Sequence, residues 1–249
     1  MKLRRAALLL TALWLLGPES GAAPISDASA ALMNGQVDSA VKLLREKQDA
    51  SSLVLLARAY VGQSLFVKTL TDKQRLYRAS EAAARQAVTA DASNAEARTE
   101  LAYALGLQLQ GVGLVEATQK GLEIKRLFDQ AVKLDPTAAR AWVGLGTWNA
   151  QALALGPFVR FASGASEQAM REDYRRAIGL QPNEVFVRLS YADGLLLLAG
   201  QDARQAAALK TEAQGILQAA LALTPQTYWQ RYDQVTVRER LKTLGGNPS

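Results

Sequence analysis

The sequence predicts an all-α solenoid of about four long helix pairs, and three observations support this prediction. A short pattern occurs four times, as AARQAVTADAS, LFDQAVKLDPT, DYRRAIGLQPN and ILQAALALTPQ, aligned on Ala87, Ala131, Ala177 and Ala220. The copies lie 44, 46 and 43 residues apart, a period typical of stacked repeats. The composition agrees, because 49% of the residues are hydrophobic, only 6% are aromatic, and no long segment alternates as a strand would.

Each copy of the pattern has the features of a helix end followed by a turn. Phe128, Ala131 and Leu134 are spaced three apart, so they lie along one stripe of a helix. The small alanine allows a neighbouring helix to approach closely. A proline, which ends a helix, follows five residues after the alanine in three of the copies, at Pro136, Pro182 and Pro225. We therefore expect Phe128 and Ala131, and likewise Tyr174 and Ala177, to be buried between helices.

The other helix of each unit has a large residue beside Ala or Gly. These anchors are Leu56-Ala57, Leu101-Ala102, Leu145-Gly146 and Tyr191-Ala192. The segment AWVGLGTWN has a Trp–Leu–Gly signature at Trp142, Leu145 and Gly146, and YRRAIGLQP has an aromatic–Ala–Pro ending from Tyr174 to Pro182. With these residues the chain resembles the tetratricopeptide repeat (TPR) family. The resemblance implies a right-handed superhelix whose concave groove binds protein or peptide partners.

The units are longer than the family's repeat of about 34 residues. The excess falls between the two helices of each unit, around Val61–Arg75, Gln110–Lys120 and Gly156–Glu167. We expect a short extra helix or an ordered loop at each of these places. The Gly-x-Trp helix, the aromatic insertion and the YxxAxxLxP ending are together similar to the regulator of microtubule dynamics family. The chain is also similar to periplasmic repeat proteins associated with TRAP transporters.

The first 22 residues have the features of a secretory signal peptide. Lys2, Arg4 and Arg5 precede an apolar run over residues 6–16, and small residues follow up to Ala22. We expect cleavage after Ala22, leaving residues 23–249 as a single solenoid domain that is periplasmic or secreted and has no stable membrane span. The alternative is an uncleaved anchor. The chain has no cysteine, so it is not expected to be a lipoprotein.

Composition argues against most catalytic and nucleic-acid-binding classes. The net charge of +6 falls to +4 without the signal segment, and basic and acidic residues are interleaved rather than clustered. We expect no nucleic-acid partner. The chain has no histidine, the commonest general base. It also has no cysteine, so both of the side chains that most often bind zinc are missing. We therefore expect no metal, no cofactor and no enzyme activity, although a hydrolase that uses only Asp or Glu remains an alternative.

The predicted function is binding through the concave groove. The resemblance to the TPR family implies that the groove position lies five residues beyond the Trp142-type anchor, where the four units have Arg58, Tyr103, Thr147 and Asp193. Seven residues earlier, near the start of the helix, three units have Glu96, Arg140 and Phe186. These residues vary while the packing residues stay similar, which is what a groove with a constant scaffold requires. The resemblance implies that they contact a protein or peptide partner.

The insertion after Gly156 is a second candidate surface. Phe158, Val159 and Phe161 either pack into the solenoid edge, as we expect, or form an exposed contact for a partner or for self-association. The runner-up function is a small-ligand-binding or transport-accessory periplasmic protein. It would enclose a pocket of about 300 Å³ or more, whereas a scaffold would present an open groove. The sequence leaves homo-oligomerisation and the identity of the partner open.

Overall fold

Twelve helices follow one another through residues 27–109 and 112–245, the part of the chain that this computed structural model describes. No strand occurs in those residues. The predicted signal peptide lies outside them, as do Gln110 and Gly111 of the second insertion. The helices are α1 (Asp27–Met33), α2 (Val37–Leu44), α3 (Ala50–Gln63), α4 (Leu70–Ala90), α5 (Ala95–Leu107), α6 (Leu114–Leu134), α7 (Ala139–Ala154), α8 (Pro157–Ser163), α9 (Glu167–Leu180), α10 (Val185–Ala199), α11 (Ala206–Leu221) and α12 (Tyr228–Thr243).

The helices pack as four pairs with additional helices at both ends. The pairs are α3 with α4, α5 with α6, α7 with α9 and α10 with α11. The first helices of successive pairs also pack against one another, α3 on α5, α5 on α7 and α7 on α10. Helices α1 and α2 precede the array, and α12 follows it, packed on α11 and α10. The predicted all-α solenoid of four pairs is confirmed.

The repeated alanine marks the end of the second helix in the first three pairs. Its carbonyl accepts the first backbone N–H beyond the helix, from Asp91 to Ala87, from Asp135 to Ala131 and from Gln181 to Ala177. The first copy ends in the same way without a proline. There the side chain of Asp91 accepts the backbone N–H of Ser93 at 2.8 Å, a local turn that competes with helix continuation.

The aromatic and alanine positions of the pattern form the contacts between helices. Phe128, Ala131, Tyr174 and Ala177 are all buried, which confirms the predicted register. The ring of Tyr174 lies against Gly146 of the first helix of its own pair, where a Cβ would approach the ring to 2.9 Å. A glycine is thus required at that position by close packing of the aromatic ring.

The insertions differ from one unit to the next. Within the described residues, the third alone contains a separate short helix, α8, which lies between α7 and α9. In the first two units the excess lies mainly in the second helices, α4 and α6, each 21 residues long. The expected short extra helix is thus present in the third unit, whereas the first unit has an ordered loop between its helices, over residues 64–69, together with a longer second helix. Continuing an existing helix satisfies the extra backbone groups without a new pair of helix ends.

Candidate functional site

The four residues predicted to line the groove belong to the first helices of the four pairs. Arg58 lies on α3, Tyr103 on α5, Thr147 on α7 and Asp193 on α10. We call these four the inner ladder. Arg58 is only 2% exposed and Tyr103 is also buried, while Thr147 and Asp193 are half-buried. The expectation of an open, solvent-exposed ladder is thus wrong, because these side chains are engaged within the chain itself.

Arg58 belongs to a buried ionic network centred on Glu100. The Nε atom of Arg58 donates to Glu100 Oε1 at 2.9 Å, and Arg140 donates to both Glu100 oxygens at 3.2 and 3.1 Å. Glu96 Oε1 lies 3.2 Å from Arg58 Nη2. Tyr103 completes the group, which we call the Glu100 cluster: Arg58, Glu96, Glu100, Tyr103 and Arg140. The guanidinium of Arg140 lies over the Tyr103 ring, 4.9 Å from its centroid.

The protonation states of the cluster follow from these contacts. Burial alone would lower the pKa of Arg58, but the carboxylates of Glu96 and Glu100 raise it above its usual value. The charge of Arg58 in turn lowers the pKa of Glu96. Burial raises the pKa of Tyr103, whose hydroxyl donates to the backbone carbonyl of Arg140 at 2.9 Å. Arg58 and Glu96 are therefore a charged pair, and Tyr103 is a neutral phenol, at neutral pH.

The sequence prediction found four of the five cluster residues and missed the central one. Glu100 lies one helical turn after Glu96 and three residues before Tyr103, so it shares their helix face. That spacing was the available signal. Its near-complete burial, at 2% exposure, depends on the three helices that meet around it and is not apparent from the sequence.

The remaining predicted groove residues do not join this cluster. The hydroxyls of Thr147 and Tyr174 lie 2.9 Å apart, and Asp193 accepts a hydrogen bond from Arg240 of α12 at 2.8 Å. Phe186 is buried in a separate apolar cluster with Val143. The structure thus divides the seven predicted groove residues among several internal contacts. Partner binding by these residues remains a prediction.

A second buried polar contact, between α10 and α12, was also missed. Gln230 donates to Glu184 Oε1 at 2.6 Å. Burial raises the pKa of Glu184 to about 8, opposed by the Gln230 hydrogen bond and the charge of Arg140. Among the described residues no hydrogen-bond partner lies within reach of Glu184 Oε2. A neutral carboxyl group is therefore favoured at this position.

The short helix α8 presents two phenylalanines to solvent. Phe158 is 81% exposed and Phe161 is 90% exposed, whereas Val159 between them is buried. The expectation that both aromatics pack into the solenoid edge is wrong. Val159 occupies the inward face of this short helix, so the phenylalanines on either side of it point outward. Gly156 and Gly164, which flank α8, have φ values of 107° and 70°, a conformation that side chains other than glycine rarely adopt.

An apolar pocket lies beside α8, between α5, α6 and α7. Its volume is about 60 Å³, and its lining includes Tyr103, Ile124, Phe128, Trp148, Leu155 and Val159. Pockets for drug-sized ligands usually measure about 300–1,000 Å³. The pocket can therefore hold a single small apolar group rather than a whole ligand of that size.

Metal-binding clusters and membrane-spanning helices are both absent from residues 27–109 and 112–245. That part of the chain contains no group of acidic residues placed to hold a metal ion. None of its helices is both long and apolar enough to cross a membrane.

Comparisons with known proteins agree with the helix-pair architecture. A family model described as "Regulator of microtubule dynamics protein 1-3" matches residues 25–172, more than half of the chain. The crystal structure of TTC0263, a thermophilic TPR protein from Thermus thermophilus, has a TM-score of 0.56 and 16% identity, covering 87% of this chain and 90% of that chain.

Two structures of MamA are less similar. The first has 16% identity and a TM-score of 0.42, and the match covers 85% of this chain and 98% of that chain. The second has 15% identity and a TM-score of 0.41, and the match covers 84% of this chain and 90% of that chain. No curated protein matches the chain. At 16% identity and a TM-score of 0.56, the TTC0263 structure shows the fold alone.

Proposed function

The chain belongs to the regulator of microtubule dynamics protein 1-3 family, and from its TPR-like solenoid we propose that it is an exported, non-enzymatic scaffold that binds a protein partner. Arrays of helix pairs present extended surfaces rather than reactive centres. The ions of the Glu100 cluster are paired with one another, as expected for structural groups. Export is supported by the basic start and apolar run of residues 1–22.

The observation that carries the proposal is the exposure of Phe158 and Phe161, at 81% and 90%. Burying a phenylalanine side chain contributes about 1.5–3 kcal/mol. A partner that covers the two exposed phenylalanines of α8 would therefore gain this free energy on binding. Aromatic side chains are enriched among the residues that dominate binding energy. We therefore place the partner at the α8 edge, defined as Phe158, Arg160 and Phe161.

The surroundings of the α8 edge indicate the chemistry of the partner segment. The apolar pocket has Val159 of α8 in its lining, so it lies on the inward side of the short helix whose outward side presents Phe158 and Phe161. A volume of about 60 Å³ suits part of one apolar side chain. Arg160 is exposed between the two phenylalanines and would pair with a carboxylate. The partner segment is thus one with an apolar anchor and a neighbouring acidic residue.

Site-directed photo-crosslinking in host cells tests the proposal directly. A photoreactive phenylalanine analogue is placed at Phe158 and, as a matched control, at Val235, which is an exposed apolar residue of α12. We expect a discrete protein adduct from position 158 that is absent from position 235. The same adduct should disappear when Phe161→Ser is added. Adducts to lipid alone would show a membrane contact instead, and no adduct at position 158 would contradict the proposal.

Binding along the inner ladder is the other form of this scaffold function. Its residues are engaged by other side chains of the same chain, Arg58 by Glu100, Thr147 by Tyr174 and Asp193 by Arg240, so a partner would have to displace these contacts. Photo-crosslinking from Thr147, which is half-buried, separates the two surfaces. A protein adduct from position 147 without one from position 158 would show that the partner binds along the inner ladder and not at the α8 edge.

A further inference from the structure

The last described helix of the chain contacts the first. The indole N–H of Trp229, at the start of α12, donates to the carbonyl of Leu32 in α1 at 2.6 Å, although the two residues are 197 positions apart. The ring of the neighbouring Tyr228 packs on Gly35, just after α1, where a Cβ would come within 2.5 Å of it. Trp229 also faces Phe66, with ring centroids 6.4 Å apart. The start of α12 therefore contacts the first part of the array.

The same helix is held along its length by the last pair. Gln230 donates to Glu184 at 2.6 Å, and Arg240 donates to Asp193 at 2.8 Å. Both acceptors belong to α10 or to its N-terminal cap, so α12 lies alongside α10 while its first residues reach α1. Helix α12 thus connects the two ends of the solenoid.

The contact face of α12 is more polar than that of the other helices. Its buried residues are Trp229, Gln230, Asp233, Gln234, Val237 and Leu241. In α11 the buried residues are all apolar: Leu209, Ala213, Leu217 and Ala220. When a polar contact separates, its groups form hydrogen bonds to water instead. Such a contact therefore contributes less net free energy to the packing of two helices than an apolar contact of the same size. Helix α12 is therefore held less firmly than the second helices of the pairs.

We propose that α12 is a clasp that closes the inner groove reversibly, and that its release from α1 exposes the Glu100 cluster. An arginine on the first helix of a pair, such as Arg58, faces the open groove in an ordinary array. Here it is 2% exposed within the Glu100 cluster, and α12 reaches the neighbourhood of that cluster through Gln230, which donates to Glu184, a carboxyl group whose pKa the charge of Arg140 lowers. The contacts of Trp229 and Tyr228 with α1 join the ends of the array that must separate for the groove to open.

Glycine substitutions provide a matched test on the full chain. Gly35 and Gly164 have nearly the same strained backbone, with φ values of 75° and 70°. An added Cβ meets the Tyr228 ring at Gly35 but nothing within 4 Å at Gly164. The comparison of Gly35→Ala with Gly164→Ala therefore isolates the contact between α12 and the first helices from the cost of the backbone conformation.

Hydrogen exchange measured by mass spectrometry reports on the clasp. In Gly35→Ala we expect the exchange of residues 228–243 and 27–36 to rise together, about tenfold or more, while α7 and α9 remain unchanged. The Gly164→Ala chain should exchange as the wild type does in those two segments. Trp229→Phe removes the indole N–H and part of a buried ring, so it should raise the exchange of the same two segments by about fivefold or more, at least the loss of one hydrogen bond.

A second measurement follows the groove itself. Phenylglyoxal modifies accessible arginine side chains, and Arg58 should react faster in Gly35→Ala than in the wild type or in Gly164→Ala. Exchange that rises only within residues 33–37, or rises equally across the whole array, would overturn the clasp. So would an unchanged reactivity of Arg58 in a chain whose α12 exchanges faster. If Gly35→Ala does not fold, Trp229→Phe decides by the same two measurements.

Discussion

The ring of Phe128 in α6 lies against the backbone of Gly144 in α7, so closely that a Cβ at Gly144 would overlap the ring. One residue from the recurring pattern thus packs on a glycine from the helix that follows it. Tyr174 repeats the relationship in the next unit, where it packs on Gly146 and Gly194. The aromatic residue of the repeat therefore determines where the neighbouring helices need glycine.

Gly144→Ala should destabilise the chain by about 1–3 kcal/mol, the usual cost of overpacking a core. The added methyl group would force the buried ring of Phe128 to move. Gly215→Ala is the control, because a Cβ at that position in α11 meets nothing within 4 Å. It should stabilise the chain by up to about 1 kcal/mol, since alanine favours a helix. Urea unfolding monitored by circular dichroism measures both, and equal effects would contradict the packing argument.

Ala131→Arg and Ala177→Arg should each lower the free energy of unfolding by about 3 kcal/mol or more. Both alanines are completely buried, so an arginine there places an unpaired charge in a close helix contact. Ala219→Arg is a suitable control, because this residue is exposed and precedes the fourth register alanine. Melting curves of the three chains give the comparison. A melting temperature unchanged by the two core substitutions would refute the register.

Glu100→Ala should cost about 3–5 kcal/mol, because it leaves Arg58 buried with only Glu96 near its charge. Glu116→Ala removes a carboxylate that pairs with Lys120 at 2.8 Å on the surface, and it should cost less than about 1 kcal/mol. The two values come from denaturant unfolding at the same pH and ionic strength. Similar losses in the two chains would show that the Glu100 cluster is no more important than a surface pair.

Stability should fall between about pH 4.5 and pH 8 through Glu184. Burial raises the pKa of this carboxyl group from 4.5 to about 8, so the folded chain keeps it neutral where the unfolded chain ionises it. Its contribution is complete below the unfolded pKa and is lost as pH rises through the folded one.

Glu184→Gln is neutral at every pH and should abolish that part of the decline, about a few kcal/mol at most. Urea unfolding at pH 5, 7 and 9 tests this prediction. Glu46→Gln, at an exposed position, is the control and should follow the wild type. An unchanged pH dependence in Glu184→Gln would contradict the assignment.

Protein recovered from the periplasmic fraction should begin at Ala23. The small residues that end at Ala22 follow a basic start and a short apolar run, which favours cleavage at that bond. Intact-mass measurement decides the point. A mass that retains the first 22 residues, found in the membrane pellet, would identify an uncleaved anchor.

The repeat pattern predicted the helix pairs and their packing register because both depend on local spacing. Phe128, Ala131, Tyr174 and Ala177 are buried as expected, since a residue every three or four positions must share one helix face. The same spacing led to the inner ladder and to four of the five residues of the Glu100 cluster. These are properties that one helix and its immediate neighbour determine.

The exposure of those residues was decided only by the tertiary structure. Arg58 is buried because side chains from α5 and α7 meet around it in the Glu100 cluster, a meeting of three helices that no local pattern records. Similarly, the sequence shows that Phe158, Val159 and Phe161 lie close together in the third insertion. Only the orientation of α8 determines that Val159 is buried and that the two phenylalanines are exposed. Short-range periodicity thus determined the helices and their contact faces, whereas the burial of Arg58 and the exposed α8 edge depend on long-range geometry.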